Sequence, residues 1–297
     1  MARRPARSRP VASAAACLAI ALVASACAAR PAAEPADRGP LPLPEGPMPT
    51  LDATVWVQTS AGYEAAALQT YRLARHELDR ALADSSRTAL LEPDDGYRSR
   101  PPAVILDVDE TVLDNSPYQA RLVRSGRDFT PETWGAWVRE ETAEPVPGAL
   151  AFTRAAAERG VAVFYVTNRD HRLEPATRAN LRSLGFPLPE SPDRLLMQDE
   201  REGWGSDKAS RRAHVARDHR VLLLLGDDFN DFVSGARAST EAYHRLRERH
   251  ADRFGRDWFM LPNPTYGTWE RAARGFRSGL SSREALRAKL ESLDPGR

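Results

Sequence analysis

Cysteine, lysine and long apolar runs are all scarce in this sequence, and each scarcity excludes something. The two cysteines, Cys17 and Cys27, both fall within the first 27 of 297 residues. A mature chain starting at Cys27 would have no internal disulfide, so its fold would be held by the core alone. His171, His214, His219, His244 and His250 are not spaced as metal ligands, which argues against a zinc site. The apolar run at 11–23 is too short and too Ala-rich for a permanent membrane span. A surplus of one charge is missing too. Taking Arg3, Arg4, Arg7 and Arg9 from 42 basic residues leaves 38 against 41 acidic, or about −3, and no nucleic-acid polymer is expected as a partner. At 42% hydrophobic and 28% charged, the remainder suits one large α/β domain with helical additions, or two modest domains.

The first 26 residues read as a secretory signal peptide: a basic stretch, an apolar run, then small residues before Cys27. The stretch Ala24-Ser25-Ala26-Cys27 resembles the lipobox of bacterial lipoproteins, with Ala24 where Leu is usual. That resemblance implies lipidation at Cys27 and a protein anchored outside the cytoplasm, at the cell surface or facing the periplasm, on the outer membrane in a Gram-negative cell. The alternative is an ordinary secreted protein cut near Ala26. Residues 27–49 are Pro/Ala-rich without apolar periodicity and read as a tether. The folded body is expected over 50–297.

Within that body, apolar spacing predicts a helix over 63–82, and 91–102 reads as a loop. Strands are predicted at 103–107, 161–166, 220–225 and 257–261, with helices near 131–141, 147–159, 173–184 and 207–218. Val221-Leu222-Leu223-Leu224-Leu225 does not alternate, as expected of a parallel strand covered on both faces. Strand–helix alternation of this kind argues for a doubly wound parallel sheet flanked by helices. Ser281-Ser282-Arg283-Glu284 is a capping box opening a last helix.

Ligands bind past the carboxyl ends of strands in such sheets, so the residues there should carry chemistry. The first strand ends in Asp107-Val108-Asp109, the second in Thr167-Asn168-Arg169, and the third in Gly226-Asp227-Asp228-Phe229-Asn230-Asp231. Lys208 stands near a helix start between the last two. Carboxylates at i and i+2 of extended chain project to one side and repel unless a cation or a shared proton intervenes. Taken singly, Asp107-Val108-Asp109 is also what a solvated turn looks like, and Asp227-Asp228 could simply cap a helix. Together these groups make a set suited to phosphoryl transfer. Lys208 and Lys289 are the only lysines beside 40 arginines, which hints that a compact ammonium is wanted at 208. Trp134, Trp137, Tyr118 and Tyr266 are candidates for stacking on a substrate ring; Trp134 and Trp137, three apart on a helix, leave open which of them is core.

These motifs, with Leu113-Asp114-Asn115-Ser116, Phe164-Tyr165-Val166 and Leu261-Pro262-Asn263-Pro264-Thr265-Tyr266-Gly267, resemble the class C acid phosphatases of the haloacid dehalogenase (HAD) superfamily. These are bacterial surface lipoproteins that include lipoprotein 5′-nucleotidases. The resemblance implies a HAD-like sheet with small, mostly helical additions, and hydrolysis of small phosphate monoesters at acidic pH. Nucleoside monophosphates or nicotinamide mononucleotide are among the substrates it suggests. It further implies that Asp107 is the nucleophile, forming an aspartyl-phosphate, and that Asp109 is the acid and base. Thr167 and Lys208 would hold the phosphoryl group, and Asn168 and Arg169 would bind substrate. Mg²⁺ would lie on Asp107, the Asp109 carbonyl and Asp227, with Asp228 and Asp231 behind. A non-catalytic lipoprotein binding a phosphorylated or haem-like ligand on the same fold is the alternative. The oligomeric state is not legible in the sequence.

Overall fold

The computed structural model describes Met48, residues 50–235 and residues 239–296. The expected signal peptide 1–26, the lipidation point Cys27 and all of the tether 27–49 except Met48 lie outside the described residues. The described part opens with two helices, α1 (Leu51–Thr59) and α2 (Ala61–Ala83), broken at Ser60, which turns extended and accepts the Gly62 amide as the α2 cap. Next come β1 (Pro102–Leu106), the two-residue β2 (Leu113–Asp114), α3 (Ser116–Ser125), α4 (Pro131–Val138) and the two-residue β3 (Glu144–Pro145). Then α5 (Ala149–Glu158), β4 (Ala162–Asp170), α6 (Glu174–Ser183), β5 (Leu195–Gln198), α7 (Ala209–Asp218) and β6 (Arg220–Gly226) alternate. The last elements are α8 (Thr240–Arg249), β7 (Trp258–Met260), α9 (Thr268–Ala273) and α10 (Ser282–Glu291).

The main sheet runs β5-β4-β1-β6-β7, with every neighbouring pair parallel. This is the doubly wound sheet that the apolar runs predict. The chain moves outward from β1 through β4 to β5, then returns to β6 on the other side. The strand order therefore reverses between β1 and β6, where such sheets open a crevice for ligand. Side chains of β1 divide between two cores. Val104 and Leu106 join Tyr71, Ala74 and Leu78 of α2 with Phe152 and Ala156 of α5. Ala103 and Ile105 join Phe164, Trp204, Val215 of α7 and Trp258. Pairing of β1 with β6 slips after Ala103, which faces Val221, while Val104 faces Leu223. Leu222 is thus an extra residue, a bulge that lets Leu222 and Leu223 share one core.

The helix signals hold. Thr130 and Thr133 cap each other at the start of α4 with Pro131 in its first turn, and Ser281 and Glu284 do the same for α10. Gly160 and Gly185 follow α5 and α6 with φ of 74° and 82°, left-handed as helix-ending glycines are. Unanticipated were α1, α3, α8, α9, the β2–β3 ribbon and β5, which has only four residues in a Pro/Ser/Asp-rich stretch. Among the described residues no helix is long and apolar enough to cross a membrane.

Candidate active site

At the reversal point, the Asp107 amide donates to the Leu225 carbonyl at 2.9 Å, locking the ends of β1 and β6 together. This brings the Asp107 side chain beside the loop Gly226-Asp227-Asp228. One oxygen each of Asp107, Asp227 and Asp231 lie within 4.8 Å of one another. Lys208, at the start of α7 and buried, donates to Asp107 and, at 2.6 Å, to Asp231. Asp231 returns to the cluster because a single 3₁₀ turn, Phe229–Asp231, folds back over Gly226. A Cβ at 226 would lie 2.2 Å from Asp231 Oδ2, so only glycine leaves room. Asp227 is gripped by neutral donors, Asn263 Nδ2 at 2.8 Å and Thr111 Oγ1 at 3.3 Å. Asp228 turns away, accepting from Asn230 and from Thr268 Oγ1 at 2.8 Å, which ties the turn to α9.

Three carboxylates and one ammonium leave excess negative charge in protein surroundings. Burial, opposed by Lys208 and reinforced by Asp231 and Asp109, pushes the Asp107 carboxyl up to about 7. Burial, then Asp107, Asp231 and Glu110, raise Asp227 well above the carboxylate range. Lys208 is raised, its two carboxylate partners outweighing its burial. A hard oxygen set carrying uncompensated negative charge fits a divalent cation. Asp107, Asp227 and Asp231 are the side chains that could hold one.

Asp109 faces a different set of partners. Its Oδ1 accepts from Arg169 Nη2 at 2.8 Å and from Asn115 Nδ2 at 2.9 Å. Glu110 follows with φ of 55°, a left-handed turn that sends its side chain inward. There it accepts from the Asn115 amide at 3.0 Å and from the Tyr266 hydroxyl. Burial, then Asp109 and Asp114, raise Glu110 well above its ordinary range. Thr167 is fully buried, its carbonyl held by Arg211 and its Oγ1 accepting the Arg169 amide at 3.0 Å. Asn168 bridges Arg211 at 2.6 Å and the Ser206 carbonyl at 3.0 Å.

The aromatic candidates separate. Trp137 is 3% exposed and its indole N–H donates to Asn115 Oδ1 at 2.8 Å, so it belongs to the core. Trp134 is half-buried, with the Arg169 guanidinium 5.4 Å from its ring centre. Tyr118 is buried against Trp134, its hydroxyl 2.9 Å from Thr133 Oγ1. Tyr266 is half-buried over Glu110. Sequence reasoning gave no role to Glu110, Asn115, Asn263, Arg211 or Arg212. Asn115 and Asn263 lie inside quoted motifs, yet nothing about a lone amide shows which carboxylate it will meet.

A family model, HAD superfamily subfamily IIIB (acid phosphatase), matches residues 50–269. The chain belongs to this family. The structure is similar to that of the class C acid phosphatase from Bacillus anthracis, with a TM-score of 0.74 and 31% identity, covering 84% of this chain and 98% of that one. Acid phosphatase 1 of Solanum lycopersicum is 28% identical over 166 residues, 54% of this chain and 57% of that protein. The stem 28 kDa glycoprotein of Glycine max is 22% identical over 167 residues, 54% of this chain and 58% of that protein. The chain thus spans little more than half the length of these curated relatives. The HAD fold expected from the motifs is the fold observed.

Two outcomes follow from the buried carboxylates. Between about pH 4, where an aspartate titrates in the unfolded chain, and about pH 7 the folded Asp107 keeps a proton that the unfolded chain has lost. Its contribution to stability is therefore full at the acid end of that window and is lost as pH rises through it. In chelator, the melting temperature of Asp107→Asn should fall less across this window than that of the wild type; identical profiles would contradict the assignment. Gly226→Ala should displace Asp231 and weaken divalent-cation binding roughly 10–100-fold, read by titration calorimetry, with the fold retained by circular dichroism.

Proposed function

We propose that this acid phosphatase family member hydrolyses small phosphate monoesters through an aspartyl-phosphate on Asp107, with Mg²⁺ as its cofactor. The observation that carries this reading is the buried Asp107–Lys208–Asp231 contact beside Asp227, at the crevice between β1 and β6, with a second acid two residues on. Asp107 attacks phosphorus while Asp109 gives a proton to the leaving oxygen. Asp109 then takes a proton from the water that attacks the aspartyl-phosphate, which releases phosphate and restores Asp107. Lys208 offsets charge on the nucleophile, and the Thr167 hydroxyl would bond the phosphoryl group. Asp107, Asp227 and Asp231, with the Asp109 carbonyl, would hold Mg²⁺, which when bound supplies charge neutralisation for the phosphoryl oxygens.

Trp134 and Tyr266 are the remaining aromatic groups for a substrate ring, and a nucleoside monophosphate or nicotinamide mononucleotide suits them by family likeness. Residues 50–297 would form the phosphatase body, borne on the tether 27–49 and a lipid at Cys27, outside the cytoplasm.

The test is phosphate release from several nucleoside monophosphates and an aryl phosphate, with Mg²⁺ and with chelator. Release should need the metal, and Asp107→Asn should abolish turnover while remaining folded. No release from folded, metal-loaded wild type would leave a ligand-binding lipoprotein as the better reading.

A further inference from the structure

Arg169 is expected from its motif to bind substrate, but its donors are already engaged. Its side chain is 1% exposed. Nε and Nη2 reach Asp109 Oδ1 at 3.0 and 2.8 Å, and Nη1 reaches Thr177 Oγ1 at 3.1 Å. Its guanidinium carbon lies over the Trp134 ring, 5.4 Å from the ring centre. Asn115 works beside it. The Trp137 N–H, a donor only, fixes which end of the Asn115 amide is oxygen, so the NH₂ must be the end that meets Asp109.

Three donor atoms thus converge on Asp109 Oδ1: Asn115 Nδ2, Arg169 Nε and Arg169 Nη2. Among the described residues, Oδ2 receives a single longer contact, Arg169 Nε at 3.3 Å. The two oxygens of this carboxyl group are not equivalent. An oxygen already accepting three hydrogen bonds has no lone pair left for a proton, whereas its partner has.

We infer that Arg169 is a positioning residue: with Asn115 it pins Asp109 by Oδ1 and leaves Oδ2 as the oxygen that passes the proton to the leaving group. The inference rests on the phosphatase reading. In the step concerned, an Asp107 oxygen bonds to phosphorus and the ester P–O bond breaks. The electron pair stays on the leaving oxygen, which takes the proton from Asp109 Oδ2. An alkoxide needs that proton, while a nitrophenolate, whose charge spreads over its ring, leaves without it.

The experiment compares kcat/KM for an alkyl phosphate and for p-nitrophenyl phosphate, using the full chain loaded with Mg²⁺. For a covalent mechanism this ratio closes at the first irreversible step, so hydrolysis of the aspartyl-phosphate does not enter it. Asp109→Asn, which removes the proton outright, sets the full selectivity. Arg169→Ala should lose roughly 10–100-fold more on the alkyl ester than on the aryl ester, and should add no further selectivity to Asp109→Asn. Arg169→Lys, which keeps charge but not the fork, should recover part of the alkyl activity, and it carries the same comparison should the alanine variant fail to fold. Equal losses on both esters, or a rise in KM alone for both, would overturn the inference and leave Arg169 a structural or substrate-binding residue. No release from either ester by the wild type would overturn the phosphatase reading itself, and this inference with it.

Discussion

Lys208 between Asp107 and Asp231 is the contact around which the molecule is arranged. Carboxylates brought together out of water repel strongly, and one ammonium cannot balance three of them. The surrounding structure is what keeps them there. The Asp107 amide is fastened to β6, Gly226 leaves space for Asp231, and Asn263 and Thr111 supply neutral donors to Asp227. The site is held in an electrostatically unfavourable arrangement by bonds made elsewhere in the fold, and a divalent cation would relieve part of it. Stability given up at such a site is a common trade against function.

Two carboxylates two residues apart end with different neighbours because the chain changes direction between them and the following strand. Asp107 still belongs to the sheet. Asp109 already belongs to a turn closed by Glu110 N–H to the Leu113 carbonyl at 2.8 Å. The turn points Glu110 inward, where it meets Tyr266 and so connects the first motif to the last. Asp109 is left facing Asn115, just before α3, and Arg169. The dry, ammonium-bound acid and the guanidinium-bound acid are therefore separated by backbone geometry and not by residue type.

Much of this was legible in the sequence. Non-alternating apolar runs marked β1, β4 and β6, because strands covered on both faces cannot be anything but apolar. The strand-end rule then collected Asp107, Asp109, Thr167 and Asp227. What escaped was set by tertiary contact. β5 is a four-residue strand recognisable only by its partner β4. Asp231 was expected behind the metal ligands, but one 3₁₀ turn carries it into the cluster, and no periodicity reports a turn that short. Spacing alone left Trp134 and Trp137 equivalent; the hydrogen bond from Trp137 to Asn115 distinguishes them, and that depends on where the loop after β1 goes.

The scarcity of lysine acquires a physical meaning here. Arg211 is fully buried and reaches the Thr167 carbonyl, Asn168 Oδ1 and the Gly205 carbonyl, joining two loops with one side chain. Burial pushes it down to about 10, and neutral oxygens are its partners. Arg212 clamps the Asn230 and Asp231 carbonyls at 3.0 and 3.1 Å, holding the turn that delivers Asp231. The task of Arg211 needs a flat fork that spans acceptors several ångströms apart, which an ammonium cannot do, whereas Arg212 meets both of its carbonyls through Nη1. Position 208 demands the opposite: a small charge that fits between two carboxylates without forcing them apart. One helix, α7, and the residue that starts it supply all three cations, so the guanidinium groups fix the loops and the single ammonium occupies the space that the loops enclose.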